Sequence, residues 1–456
     1  VVPRGTTGRL PSPFGGRRAL RSPSVNPSRR FSGEFAPFDT PFQPVHAILA
    51  RGTAFLSWSE PGAGQMTNDG ERIVFVQLSN FSDTNGALER HLGPHLAGRR
   101  LDVVRVWPIF KKNPWLVARG LLAGARHHGL GHLRERGAMI EAIVKTPTFF
   151  RLASRIARRE VARGGPAAAV LLTQALFDPT PDGVPLVVYT DDCILNPVNA
   201  LFPTATIVPE NVALERDLYD RAARIAVGGT HVARALASEY GIGPEKAVVT
   251  GMGANVDRSR DVVLDDRPER WAARRILFVG IDWKRKGGPE LVEAFARLHA
   301  RFPDARLTIV GCTPQVDHPG VEILGRQPPE RVAELMAKAS IFAMPSWAEP
   351  FGIATVEAIR FGLPTVATTT GGFLDTVDDG RTGFLVPPGD VDALEAALGR
   401  LLADPALARS MGLAAAGWAR DRFTWDAVAR SLGAVIEDAI AQSRPRVRPR
   451  PALHPL

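Results

Sequence analysis

Two glutamates, Glu349 and Glu357, bracket the segment EPFGIATVE, and the first closely follows an apolar run, IFAMPS from Ile341, that reads as a strand. Strand, loop and helix in that order put Glu349 in the loop at the carboxyl edge of a sheet and Glu357 on the second turn of a helix starting near Pro350 to Gly352. Ionised carboxylates only accept hydrogen bonds, so two of them facing one crevice suit a polyol. The helix start leaves N–H groups at Gly352, Ile353 and Ala354, beside Phe351, which together with the helix dipole favour a phosphate or an array of hydroxyls. Taken alone, such a pair is ordinarily two surface helix acids. The surrounding segments decide between the readings.

Those segments are an alternation of strands and helices. In the first half, strands are expected at Arg72 to Leu78, Leu101 to Val106, Ala167 to Thr173, Pro185 to Tyr189 and Ile225 to Val227, separated by helices near Gly86 to Ala97 and from Pro108 to about Arg163. In the second half, RRILFVG from Arg274, ARLTIVG from Ala305, VEILG, IFAMPS and PTVATTT each lead into a helix or a helix-starting loop. The fold class is therefore α/β, with two doubly wound, Rossmann-like domains. The boundaries predicted are an extension over 1–65, a first domain over 66–257, a second over 258–424, a helix over 425–441 and an Arg/Pro-rich tail over 442–456. The extension is read as disordered and Met66 as the natural start, because residues 1–65 are rich in Pro, Gly, Ser and Arg without periodicity.

Charge supports a folded enzyme over a nucleic-acid binder. The net charge of +9 sits in the ends: residues 1–65 hold eight Arg against three acids, and Arg444 to Arg450 adds four Arg, leaving a neutral middle. The two cysteines, Cys193 and Cys312, form no disulfide framework and have no metal-ligand spacing, which fits a reducing cytoplasm. No run of 18 or more apolar residues occurs. The stretch Pro108 to His128 joins Lys111, Lys112, Arg119 and Arg126 to Trp115 and several Leu, which suits either an ordinary amphipathic helix or peripheral contact with the inner face of an anionic membrane. No metal is expected: Asp390-Val391-Asp392 precedes an alanine-rich helix, so Asp390 reads as its N-cap, and no HExxH, paired CxxC or P-loop pattern is present. His231, after GGT, reads as structural or exposed.

From Arg274 to Ile440, and more loosely from Arg72, the chain resembles glycosyltransferase family 4. The resemblance is carried by FVGIDWKRKGG, IFAMPSWAEPFGIATVE and TTTGGFLDTVDDGRTGFLVPPGD in that order. It implies the GT-B architecture, two domains facing a cleft, and a retaining transfer of a sugar from a nucleoside diphosphate sugar to an acceptor hydroxyl without metal or other cofactor. Glu349 would then contact the donor sugar and Glu357 the ribose, with Gly280, Phe351, Gly352, Ile353 and Ala354 around them. Lys286 matches a lysine directed at the diphosphate. Ile281 stands where the family carries an arginine, so Arg285 or Lys284 would supply the second cation that the leaving group needs.

Arg326 would lie near the base, and Gly371, Gly372 and Asp375 would form either a plain turn or a donor contact. Asp191 and Asp192, at a strand end facing the cleft, are acceptor-side candidates or caps of the next segment. The acceptor, the donor base and the sugar remain open, and no nucleic-acid partner is expected. Two further readings stay beside this one: a non-catalytic subunit of the same fold, and a nucleotide-sugar epimerase or phosphorylase.

Overall fold

Apolar runs without alternation, such as AAAVLLT and LVVYT, make strands that are buried on both faces and therefore need helices on both sides. The computed structural model describes residues 71–79, 83–133, 136–201, 207–255 and 266–443. The stretch before Met66, most of the polar segment from Arg258 and the tail beyond Ser443 lie outside them.

The first half forms a parallel sheet of β1 (Arg72–Gln77), β2 (Arg100–Arg105), β3 (Ala167–Thr173), β4 (Leu186–Thr190), β5 (Arg224–Val227) and β6 (Ala247–Val249), ordered β2-β1-β3-β4-β5-β6. The second half repeats the principle with β7 (Arg275–Val279), β8 (Arg306–Val310), β9 (Val321–Gly325), β10 (Ile341–Met344), β11 (Thr365–Thr368) and β12 (Gly383–Val386), ordered β12-β11-β10-β7-β8-β9. Each sheet is wound outward in both directions from an inner pair, β1 and β3 in the first and β7 and β10 in the second. A crevice opens at the carboxyl ends of such a pair, because the connections leave toward opposite faces.

Two edge strands, β6 and β12, are additions to the sequence-based expectation. They are three and four residues long, too short for a period to declare itself. The basic stretch is also not one helix. It breaks into Val106–Lys111 and Pro114–His128, because Pro114 cannot continue a helix and Asn113 caps the new one by accepting from Trp115 and Leu116 N–H. Asp390 caps the helix Val391–Ala403 as expected, accepting from Ala393 N–H at 2.9 Å.

The helix Trp425–Ser443 follows the second sheet in sequence yet packs on the first. Its Val428, Leu432 and Ile436 are fully buried in a cluster with Ile73, Phe75, Leu171 and Val187. Burial of each of those three side chains contributes about 1.5–3 kcal/mol.

Candidate functional site

The loops leaving β7 and β10 meet at the inner pair of the second sheet. Gly280 ends β7, and a Cβ there would collide with the Lys286 side chain, so its absence makes room for the lysine to fold back. Gly287 (φ 70°) turns the chain where any side chain would run into the Pro345 carbonyl. The two loops are further tied by Trp347 N–H donating to the Arg285 carbonyl at 2.8 Å. Lys286 Nζ thereby reaches Glu349 Oε2 at 2.8 Å, while Ser346 Oγ donates to the same oxygen at 3.3 Å.

Glu349 is only 6% exposed. Burial opposes its ionisation, but Lys286 and Arg285 outweigh that cost and hold the carboxyl below its ordinary value. Arg285 lies 3.6 Å from Glu349 while donating to the Ala348 carbonyl at 2.6 Å and pairing with Asp282 at 3.2 Å. Of the two cations named for the place of the missing arginine, Arg285 is therefore the one beside Glu349, whereas Ile281 is 44% exposed and Lys284 also points outward.

Gly371 and Gly372 clamp the far side of this loop. Gly372 N–H donates to the Glu349 carbonyl at 3.1 Å, and neither glycine could carry a Cβ without overlapping the backbone of Glu349 or Phe351. Gly352 (φ 89°) then starts the helix Ile353–Arg360, and the N–H groups of Ile353 and Ala354 find no acceptor among the described residues. Phe351 is buried beneath them, against Phe423. Arg326 stands exposed past edge strand β9, two strands from β7, and is not brought to Lys286 or Glu349.

Glu357 lies one turn into the helix and accepts from Asn255 N–H of the first half at 3.2 Å. Burial raises its carboxyl to about 7, against the opposing pull of the Asn255 N–H and Arg360. Between 4.5 and about 7 the folded protein therefore keeps a proton that the unfolded chain has released, so this group makes stability fall as pH rises through that window. Glu357→Gln removes the effect. Thermal unfolding followed across the window is expected to favour the variant increasingly toward higher pH; an offset that stays constant would show that Glu357 does not titrate there.

Three groups of the first half face this crevice. Asp191, half-buried after β4, is raised to about 7 by burial, by Asp192 and by the charge of Glu349 across the cleft. Asp192 is turned to local work: its carboxylate accepts from Asn196 and Asn199 Nδ2 at 2.7 and 3.0 Å and from Cys193 N–H at 2.9 Å, which fixes the following loop. The third is His231, which the sequence reads as structural or exposed and not as a site residue. It sits 5% exposed at the start of the helix Thr230–Tyr240, with both ring nitrogens lacking a hydrogen-bond partner among the described residues. Burial lowers it to about 4, so it is neutral, although Asp375 and Glu349 pull the other way. Asp375 itself crosses the cleft to accept from Thr230 N–H at 2.8 Å. The one signal for His231 in the sequence is its place in a strand, GGT, helix segment.

Two doubly wound parallel sheets with charged loops meeting outside their strand ends define the GT-B class of fold. Solved structures agree: the chain aligns with sucrose-phosphate synthase from Thermosynechococcus elongatus at TM-score 0.58 and 21% identity, covering 82% of this chain and 100% of that one. It aligns with Anabaena HepE, solved in complex with UDP, at TM-score 0.53 and 18% identity, covering 80% and 99%. Within this fold, residues 273–404 match the family model described as Glycosyl transferases group 1. Among curated relatives, a D-inositol 3-phosphate glycosyltransferase of Corynebacterium aurimucosum is 33% identical over 265 residues, 52% of this chain and 62% of the relative. A GDP-mannose-dependent alpha-(1-6)-phosphatidylinositol monomannoside mannosyltransferase of Mycolicibacterium smegmatis is 35% identical over 204 residues, 40% of this chain and 50% of the relative. The matches thus span between half and two thirds of these relatives' lengths.

Proposed function

We propose that the protein transfers a sugar, with retention of anomeric configuration, from a nucleoside diphosphate sugar to an acceptor hydroxyl. The observation that carries this reading is the buried Lys286–Glu349 pair at the carboxyl ends of β7 and β10, beside the open N–H groups of Ile353 and Ala354. Names of relatives and neighbours that specify GDP-mannose or UDP support it. Lys286 and Arg285, with the helix start, stabilise the charge developing on the leaving diphosphate, so no metal is needed for that task. Glu349 orients the donor sugar and Glu357 holds the ribose hydroxyls, with Gly280 and Phe351 shaping the floor and Arg326 reaching the base as the cleft closes. Asp191 receives the acceptor hydroxyl.

The test is calorimetric titration with UDP, GDP and ADP. One nucleotide is expected to bind, and Glu357→Ala to weaken it by about tenfold or more through loss of a carboxyl hydrogen-bond partner. Unchanged affinity in that variant would remove the ribose assignment. Absence of binding to the folded protein would favour a non-catalytic subunit of the same fold.

The reading includes peripheral contact with an anionic membrane. No helix of the described residues is long and apolar enough to cross one. Trp115 and Leu122, two turns apart on Pro114–His128, are 75% and 73% exposed, and exposed Lys111, Lys112, Arg119 and Arg126 accompany them without an acid between Val106 and Leu133. Phosphatidylglycerol vesicles should therefore sediment the protein and phosphatidylcholine vesicles should not, and Trp115→Ala with Leu122→Ala should lower the partition about tenfold. Equal sedimentation with both lipids would count against the contact.

A further inference from the structure

Beside Asp191 a cavity of about 750 Å³ opens at the carboxyl edge of the first sheet, where the loops after β1, β3 and β4 converge. Its walls are apolar, built from Trp107, Ile140, Val144, Phe150, Leu176 and Ile207. Resting on the transferase reading, we infer that this cavity receives the acceptor, and that the acceptor is an uncharged alcohol with an apolar body rather than a phosphorylated polyol.

Charge excludes the phosphate. The described lining carries four carboxyls, Glu141, Asp191, Asp192 and Glu215, against one cation, Lys145, whose Nζ is already held by Glu141 at 2.6 Å. No arginine is among the described lining residues, although a bidentate guanidinium fork is the usual means of holding a phosphate. A phosphomonoester, with a charge of about −2, would enter a largely apolar space beside Asp191 without a cation to meet it.

Hydrogen bonding selects the alcohol. Asn196 and Asn199 spend their side-chain N–H groups on Asp192, Asn211 Nδ2 donates to the Lys145 carbonyl, and Glu215 is occupied by Tyr219, Tyr240 and Ile194 N–H. The one buried side-chain atom that the described lining leaves without a partner is an acceptor. Asn211 Oδ1 is buried without a partner among the described residues, and the Asp191 carboxylate accepts from no other described residue. A ligand completing these groups must donate, which a hydroxyl does and a fully ionised phosphate cannot. The hydroxyl on Asp191 then lies on the side of the cavity nearest Glu349, the donor side of the cleft, while the rest of the molecule covers the apolar walls.

The inference is tested on the full chain by calorimetry with three probes: octyl β-D-glucopyranoside below its micellar concentration, octyl phosphate, and D-inositol 3-phosphate. Octyl glucoside is expected to bind, with both phosphates at least about tenfold weaker. Ala200→Trp and Ile207→Trp, both at exposed lining positions, fill the space and should each weaken octyl glucoside by about tenfold or more, with unfolding temperature confirming that the variants fold. Either phosphate binding as tightly as octyl glucoside, octyl glucoside failing to bind, or its binding persisting in both folded tryptophan variants overturns the proposal. UDP and GDP titrated into the same samples separate the two readings. Loss of nucleotide binding alone defeats the transferase reading and leaves the cavity's preference standing, whereas intact nucleotide binding without octyl glucoside binding defeats only the acceptor class.

Discussion

Lys286→Met is expected to lower turnover by about two to three orders of magnitude, because it removes the cation placed to meet charge developing on the leaving diphosphate. Part of the effect is structural. Glu349 would keep Arg285 at 3.6 Å and Ser346 at 3.3 Å but lose the ammonium at 2.8 Å, so a loss of stability of about 3 kcal/mol is expected, as when a buried ion pair is broken from one side. Glu349→Gln in the Lys286→Met background removes the uncompensated charge and should recover most of the stability without recovering turnover. Recovery of both would mean that Lys286 serves the fold and not the reaction.

Gly371→Ala is expected to disrupt the fold at the site by the addition of a single methyl group. The position combines φ 52° with a Cβ that would overlap the carbonyl oxygen of Glu349, so the substitution adds left-handed strain and forces the Glu349 loop away from Lys286. A destabilisation of about 3 kcal/mol or more is expected, together with loss of transfer. Gly380→Ala is the comparison: its φ is 76° but nothing lies within 4 Å of the added methyl, so only the conformational penalty of about 1 kcal/mol remains. Similar unfolding temperatures for the two variants would mean that the Gly371 contact does not hold the loop.

Much of the architecture was legible in the sequence because both sheets are made of short apolar runs bounded by glycine and proline. The meeting of Lys286 with Glu349 was legible only through the order of motifs, since 63 positions separate the pair. Motif order could not distinguish Asp191 from Asp192: which of two adjacent carboxylates is spent on Asn196 and Asn199 is decided by how the loop closes. His231 was passed over because its surroundings come from Asp375 and Glu349, more than a hundred residues away. The cavity walls escaped for the same reason, being assembled from Trp107, Val144, Leu176 and Ile207 on four separate segments. The glycines at 371 and 372 suggested a turn, but their role as a backbone clamp depends on the proximity of Glu349 and Phe351.

The return of the helix Trp425–Ser443 onto the first sheet has a consequence for biosynthesis. Strands β1 to β6 are all translated by Val249, yet the covering of the face formed by Ile73, Phe75, Leu171 and Val187 is completed only after residue 425 has emerged. At roughly 5–20 residues per second, the nascent chain carries that open apolar face for about 10–35 s. The early half of the polypeptide therefore matures late, and premature termination anywhere between β6 and residue 425 releases a sheet with one side unsealed and prone to self-association.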